Sequence, residues 1–208
     1  MNPTTKKIVV GGGIVLGIVV AIFLMQQFLL PAGVQPGTTP DPIRGGTTPV
    51  VTIKEYSDFQ CPACEQMVVL LERAADEFGD SIQLQYNDYP LTQIHPNGFA
   101  AAEAAQCAWQ QDRFWQYHDV LFEQQDIWSI ERDPTATFVI YAEQLALDTT
   151  QFESCITNHE QRAAVQEDVV EGKDAKVSST PTLFINDERY VGVGSYDNLR
   201  TAIQKYLE

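Results

Sequence analysis

Two cysteines two residues apart, Cys61-Pro62-Ala63-Cys64, are the residues of this sequence whose types and spacing could do chemistry. The chemistry is disulfide exchange, and it depends on ionisation, because a thiolate and not a thiol attacks a disulfide. The flanking residues supply a cause for ionisation. An apolar, β-branched run, Val50 to Tyr56, comes before the pair. Apolar residues at helical spacing follow: Met67, Val68, Leu70, Leu71, Ala74, Ala75 and Phe78. Gly79 then stops the period as a left-handed C-terminal residue would. The pair therefore sits where a strand turns into the first turn of a helix. Cys61 falls at or near the N-cap, and Pro62 suits the first helical position, where its missing N–H costs nothing. The amides of Ala63 and Cys64 then point towards the Cys61 sulfur. Unpaired amides and the positive end of the helix dipole favour a thiolate. Cys64 lies one turn on, within reach of a small, strained ring with Cys61.

The elements that must position this pair follow from the hydrophobic pattern. Ile82, Leu84 and Tyr86 alternate with polar residues, which predicts a second strand ending at Pro90. From Pro96 to about Lys176 the pattern is helical. It runs through an alanine-rich stretch, "NGFAAAEAAQCAWQQ", and through "RFWQYHDVLFEQQ" with Phe114, Trp115, His118, Leu121 and Phe122 on neighbouring turns. Pro134 stands at a helix start, and Gly172 is expected to break the last helix of the block. The chain then returns to β: "TPTLFIN" as a strand, "DER" as a turn, "YVGVG" as its partner. Ser195 or Asp197 caps a final helix with Leu199, Ile203 and Leu207 on one face. The predicted order is β, α, β, a helical block of about eighty residues, β, β, α. This is an α/β class in which helices interrupt a small sheet, with Cys61 at its carboxyl edge, where open α/β folds hold their sites.

The chain has 208 residues and a formal net charge of -15. The first 49 residues sum to +2, so the remainder carries -17. Such a surface repels phosphate backbones and anionic lipid, which argues against nucleic acid as a partner. Ile8 to Leu30 form an apolar run broken only by Gln26 and Gln27. Its length of roughly 35 Å as a helix is enough to span a bilayer core. Lys6 and Lys7 precede it, so the positive-inside rule keeps the N-terminus cytoplasmic and exports the rest. A cleaved signal peptide is the rival reading, but the run is long for one and "LLPAGVQ" is a poor cleavage site. An uncleaved anchor is expected, with the body in a disulfide-permissive compartment. Residues 31–49, rich in Pro, Gly and Thr, read as a linker.

From Val50 to Glu208 the chain resembles the DsbA-like thiol-disulfide oxidoreductases of the thioredoxin superfamily, and among them the membrane-anchored bacterial branch. The pieces that carry the resemblance are "EYSDFQCPAC", "CAWQQDRFWQYHDVLF", "YAEQLALDTTQFESCI" and "STPTLFINDERYVG". It implies a thioredoxin-like domain over 50–92 and 177–208, an all-helical insertion over 93–176, and an anchor with a short cytoplasmic tip over 1–30. It also implies roles. Cys61 is similar to the family's nucleophile and Cys64 to the buried cysteine that resolves the mixed disulfide. Pro181 matches the cis-proline that faces the two sulfurs, and Thr180 the residue whose backbone pairs with a bound peptide. A cis bond is tolerated almost only before proline, and a proline beside the sulfurs offers no amide to compete for the thiolate. Glu55, six residues before Cys61, matches a buried acid that moves protons for the second cysteine; otherwise it is a strand residue facing solvent. In the family's namesake a histidine stands where this chain has Ala63. Alanine brings neither charge nor hydrogen bond, which implies a less oxidising disulfide.

Cys107 and Cys155 lie in predicted helices. They are either two buried free thiols or a second disulfide within the insertion, as some family members have; the expected compartment favours the bond. No metal is expected, since the other cysteines stand alone without a histidine at ligand spacing. Of the histidines, His118 falls on the aromatic stripe and reads as core, while His95, before Pro96, could approach the active-site face. No cofactor is required. The expected activity is extracytoplasmic disulfide formation in reduced exported proteins by a monomer tied to the membrane, with regeneration by a quinone-linked membrane thiol oxidase as the resemblance implies. The rivals are a disulfide reductase or isomerase, and a binding or chaperone module whose cysteines are only structural.

Overall fold

A computed structural model describes residues 40–192 and 194–208. The expected transmembrane helix and residues 31–39 of the expected linker lie outside the described residues. Among the described residues, no helix is long and apolar enough to cross a membrane.

Five strands form one sheet in the order β1-β3-β2-β4-β5, with β1 at Ile43–Gly45, β2 at Val51–Ser57, β3 at Ile82–Asp88, β4 at Thr182–Ile185 and β5 at Glu188–Val191. The central strand β2 runs parallel to β3 and antiparallel to β4. Its alternation decides what each face does. Val51 and Ile53 are fully buried with Met67 and Leu71 of helix α1, Pro62–Phe78, and Leu199 and Ile203 of the C-terminal helix, Tyr196–Gln204. Tyr56 packs on the other face against Tyr89 and Phe184. Because successive strand side chains point to opposite faces, Glu55 and Ser57 share the α1 face with Val51 and Ile53.

Three expectations change. Residues 43–45, read as linker, form β1 and pair antiparallel with β3 from Ile43↔Gln85 to Gly45↔Gln83. Proline and glycine neighbours disguised a strand of only three residues, since so short a run shows no period. The hairpin turns at Asn186 and Asp187, and Glu188 and Arg189, read as turn, belong to β5. Asn186 has φ 51° and its Oδ1 accepts from the Thr52 amide at 2.9 Å, so the turn is fixed by Asn186. Gly172 does not break a helix but lies inside one, Arg162–Asp174. A Cβ there would come within 2.6 Å of the Tyr89 ring, so the glycine lets this helix approach the sheet.

The insertion between β3 and β4 contains helices α2, Gly98–Trp109; α3, Phe114–Glu123; α4, Gln125–Trp128; α5, Thr135–Gln144; α6, Thr149–Thr157; and α7, Arg162–Asp174; the C-terminal helix is α8. Alanines 101, 102, 104, 105 and 108 are all buried, which lets α2 run through the middle of its neighbours. Cys107 of α2 and Cys155 of α6 are joined by a disulfide with Cα atoms 5.9 Å apart. It closes a loop of 48 residues, worth roughly 4 kcal/mol by loss of chain entropy in the unfolded state. Ser195, not Asp197, caps α8, its side chain accepting from the Asn198 amide.

Candidate active site

Cys61 is the N-cap of α1, with extended backbone (φ -83°, ψ 119°) and Pro62 next to it. Pro62 and Ala63 are exposed, so the motif reaches the surface although the Cys61 residue is only 7% exposed and Cys64 is fully buried. The turn leading to Cys61 is built around Asp58. Its carbonyl accepts from the Cys61 amide at 2.9 Å. Its carboxylate accepts from the amides of Gln60 at 2.9 Å and Leu91 at 2.8 Å and bonds His95 Nδ1 at 2.7 Å. Gly98 is needed at the start of α2 because a Cβ there would meet Asp58 Oδ1 at 2.5 Å.

The insertion grips the same turn. Gln125 of α4 donates to the carbonyls of Phe59 and Cys61 at 2.7 and 3.2 Å. Gln60 donates to the Ser129 carbonyl and accepts from the Asn97 amide. Buried amide side chains that satisfy backbone groups on both sides fix a loop that would otherwise carry orphan carbonyls. None of Asp58, Gln60, Asn97 and Gln125 was a candidate in the sequence. Only "SDFQ" directly before the motif could have signalled a turn, through its Asp; nothing local marks Gln125, 64 residues from Cys61.

The two sulfurs are free thiols here and differ sharply in acidity. Cys61 is lowered from 9.0 to about 5. The largest cause is a hydrogen bond from the Cys64 thiol; burial opposes it, and Thr180 and the amides of Cys64 and Ala63 add to the lowering. Cys64 is pushed well above its ordinary value, first by burial, then by giving its hydrogen bond to Cys61 and by the charge of Glu55. One sulfur is thus favoured as a thiolate and the other as a thiol.

The Thr180–Pro181 peptide is cis, and the Thr180 carbonyl oxygen lies 3.6 Å from Cys61 Sγ. A protonated Cys61 can donate to that carbonyl. Once Cys61 ionises, the Thr180 hydroxyl, buried and with no other partner, is the group that can turn to donate. Glu55 does not face solvent: it is 5% exposed on the α1 face, and one carboxylate oxygen, Oε1, has no hydrogen-bond partner. Burial raises it from 4.5 to about 7; the Ser57 hydroxyl opposes the rise and the Cys61 charge adds to it.

The structure thus brings Cys61, Cys64, Thr180, Pro181 and Glu55 together and leaves Cys107 and Cys155 apart, in the disulfide of the insertion. His95 reaches the site turn through Asp58. His118 is buried among the rings of Phe59, Tyr86, Phe114, Trp115 and Phe122. Trp128 is fully buried and donates to the Leu121 carbonyl. Among the described residues there is no cluster of three His, Cys, Asp or Glu that could hold a metal ion.

A sheet interrupted by helices, with a CxxC at a helix start opposite a cis-proline, defines a thioredoxin-like fold with a helical insertion. Solved structures agree. The chain is similar to oxidised BdbD from Bacillus subtilis, with a TM-score of 0.72 and 22% identity over 83% of this chain and 96% of that one. It is similar to alpha-DsbA1 from Wolbachia pipientis (TM-score 0.70, 19% identity, 86% and 94% covered) and to DsbA2 from Pseudomonas aeruginosa (TM-score 0.64, 22% identity, 82% and 96%). The family model described as "Thioredoxin" matches residues 38–205, and the chain belongs to that family. Curated relatives include the Na(+)/H(+) antiporter NhaA 3 of Salinispora tropica, 34% identical over 78% of this chain and 24% of the relative. The Na(+)/H(+) antiporter NhaA 1 of Mycolicibacterium gilvum is 30% identical over 79% and 26%. The chain thus spans about a quarter of the length of these curated relatives.

Proposed function

We propose that this protein is a thiol-disulfide oxidoreductase that forms disulfides in exported proteins through Cys61 and Cys64. The observation that carries the reading is the opposed acidity of two adjacent sulfurs, with the acidic one at the surface-facing helix start beside Thr180–Pro181. In the oxidising direction a substrate thiolate attacks Cys61 of the 61–64 disulfide. The S–S bond breaks, a mixed disulfide forms at Cys61, and Cys64 leaves as a thiolate that takes up a proton. A second substrate thiolate then attacks the substrate sulfur of the mixed disulfide and expels Cys61. The substrate is oxidised by two electrons and the enzyme is left as a dithiol. A low thiol pKa makes Cys61 a good leaving group in that last step.

The direction, the compartment and the partners belong to the same proposal. The domain works outside the cytoplasmic membrane as a monomer, tethered by residues 8–30, and a quinone-linked membrane thiol oxidase restores its disulfide. The apolar run at 8–30 supports the tether.

Two measurements test the reading. Cys61→Ser should abolish both oxidation of a dithiol peptide and reduction of insulin; retained turnover overturns the enzyme in favour of a binding module. Equilibration with a glutathione buffer gives the direction: a 61–64 potential near thioredoxin's, about -270 mV, turns the proposal towards a reductase.

A further inference from the structure

Cys64 exchanges a proton in each half of the proposed cycle, and Glu55 is the acid placed to hold it. Glu55 itself is buried beneath α1, so its own proton needs a route to solvent. A crevice between the sheet, α1 and α3 supplies one. Glu55 and His118 both line it, with Ile53, Leu71 and Leu84 as apolar walls and Arg44 and Glu72 at its exposed end. Its volume of about 10 Å³ is at the lower limit of what one water molecule needs. The unpartnered Oε1 of Glu55 is a polar atom such a water would satisfy. His118 holds Asp119 Oδ1 through Nδ1 at 2.8 Å, and Asp119 reaches the Arg44 guanidinium at 3.5 Å. Arg44 also pairs with Glu72 at 3.8 Å and lies 5.0 Å over the Trp115 ring. Glu55 and His118 thus share one crevice, and His118 is linked through Asp119 to Arg44 at its exposed end.

We propose that this crevice holds water and that His118, oriented by Asp119, is a positioning residue that passes protons between Glu55 and solvent. This deepens the exchange reading and rests on it. A carboxylate partner at Nδ1 makes that nitrogen the donor, so Nε2 is left as the acceptor. Burial holds His118 below its ordinary pKa, so the ring is neutral at working pH and can accept a proton and give one up. The groups that face it are Asp119 on its own helix, Arg44 from β1, Glu55 from β2, Glu72 from α1, and Gln85 and the Tyr86 ring from β3. The step is a proton transfer alone. When Cys64 leaves as a thiolate, Glu55 gives it a proton. The crevice water protonates Glu55; His118, which has first taken up a solvent proton at Nε2, gives that proton to the water and is left neutral with Nδ1–H on Asp119. No electron moves along the path, and the reverse sequence serves Cys64 when it attacks.

The test is stopped-flow reduction of the oxidised protein by glutathione from pH 5 to 8, with iodoacetamide alkylation of reduced Cys61 as the equilibrium control. His118→Phe keeps the ring in its aromatic cage and removes the proton carrier. It should slow the Cys64 protonation step roughly tenfold, flatten the pH profile of that step, and leave the alkylation midpoint unchanged. Asp119→Asn, at a half-exposed position, should slow the same step severalfold and decides the matter if His118→Phe does not fold. Wild-type rates in these variants beside a slowed Glu55→Gln overturn the relay and leave the exchange reading intact. Slowing that comes with a shifted alkylation midpoint and an unchanged pH profile assigns His118 a structural role and also overturns it. An unmodified chain that exchanges no disulfides overturns both.

Discussion

Cys61 and Glu55 sit a few side chains apart, and burial acts on them in one direction while their neighbours act differently. For Cys61 the donors win. The rate of its alkylation in the reduced protein should rise with a midpoint near pH 5, where an ordinary cysteine stands at 9.0; pH-jump alkylation with iodoacetamide reads it. A lowered pKa also stabilises the reduced fold. That gain is complete above about 9, the unfolded value, and lost as pH falls through about 5. For Glu55 desolvation wins, and the sign reverses: the neutral acid is favoured, so its contribution is present below 4.5 and lost as pH rises through about 7. Glu55→Gln should therefore make the protein more stable at pH 8, by up to about 3 kcal/mol, and change little at pH 4. Urea denaturation at the two pH values measures the difference.

At the scale of elements, the site depends on helices of the insertion holding a turn of the sheet domain. Gly98→Ala probes that grip. Asp58 cannot step aside cheaply from the new methyl group, because its carboxylate carries two amides and His95. The variant should lose about 1–3 kcal/mol by urea denaturation and turn over insulin more slowly, since the turn that aims Cys61 must shift. The Cys107–Cys155 disulfide acts elsewhere. Replacing both cysteines by serine should lower stability by about 2–4 kcal/mol while the alkylation midpoint of Cys61 stays in place, because the bond ties α2 to α6 and touches neither sulfur of the motif.

Across the whole molecule, the acidic composition is not confined to the surface. Asp88 and Asp168 are buried together where α7 crosses the sheet. The Asp88 amide donates to Asp168 Oδ2 at 2.8 Å, and Gln106 donates to Asp88 Oδ2 at 2.7 Å. Burial pushes both carboxyls well above their ordinary range, and the charge of Asp88 raises Asp168 further. Groups whose pKa is raised by folding cost stability as pH rises, so the fold should be firmest on the acid side of neutrality and weaken through pH 7 and above. Asp168→Asn should flatten that decline in a series of denaturation midpoints from pH 5 to 9.

The sequence by itself determined the motif, the strand before it and the helix after it, because hydrophobic period, Pro62 and Gly79 are local signals that need no distant partner. The same holds for the helical character of the insertion. It could not determine that β1 joins the sheet through three residues, that Gly172 lies inside a helix against Tyr89, or that Gln125 secures the turn before Cys61. Those are contacts between segments far apart in the chain, and a single position carries no mark of a neighbour it meets only after folding. Glu55 shows the division most clearly. The strand reading by itself left it facing solvent, and only the closing of α1 and α3 over its face turned an acid six residues before a cysteine into a buried one with its proton held near neutrality.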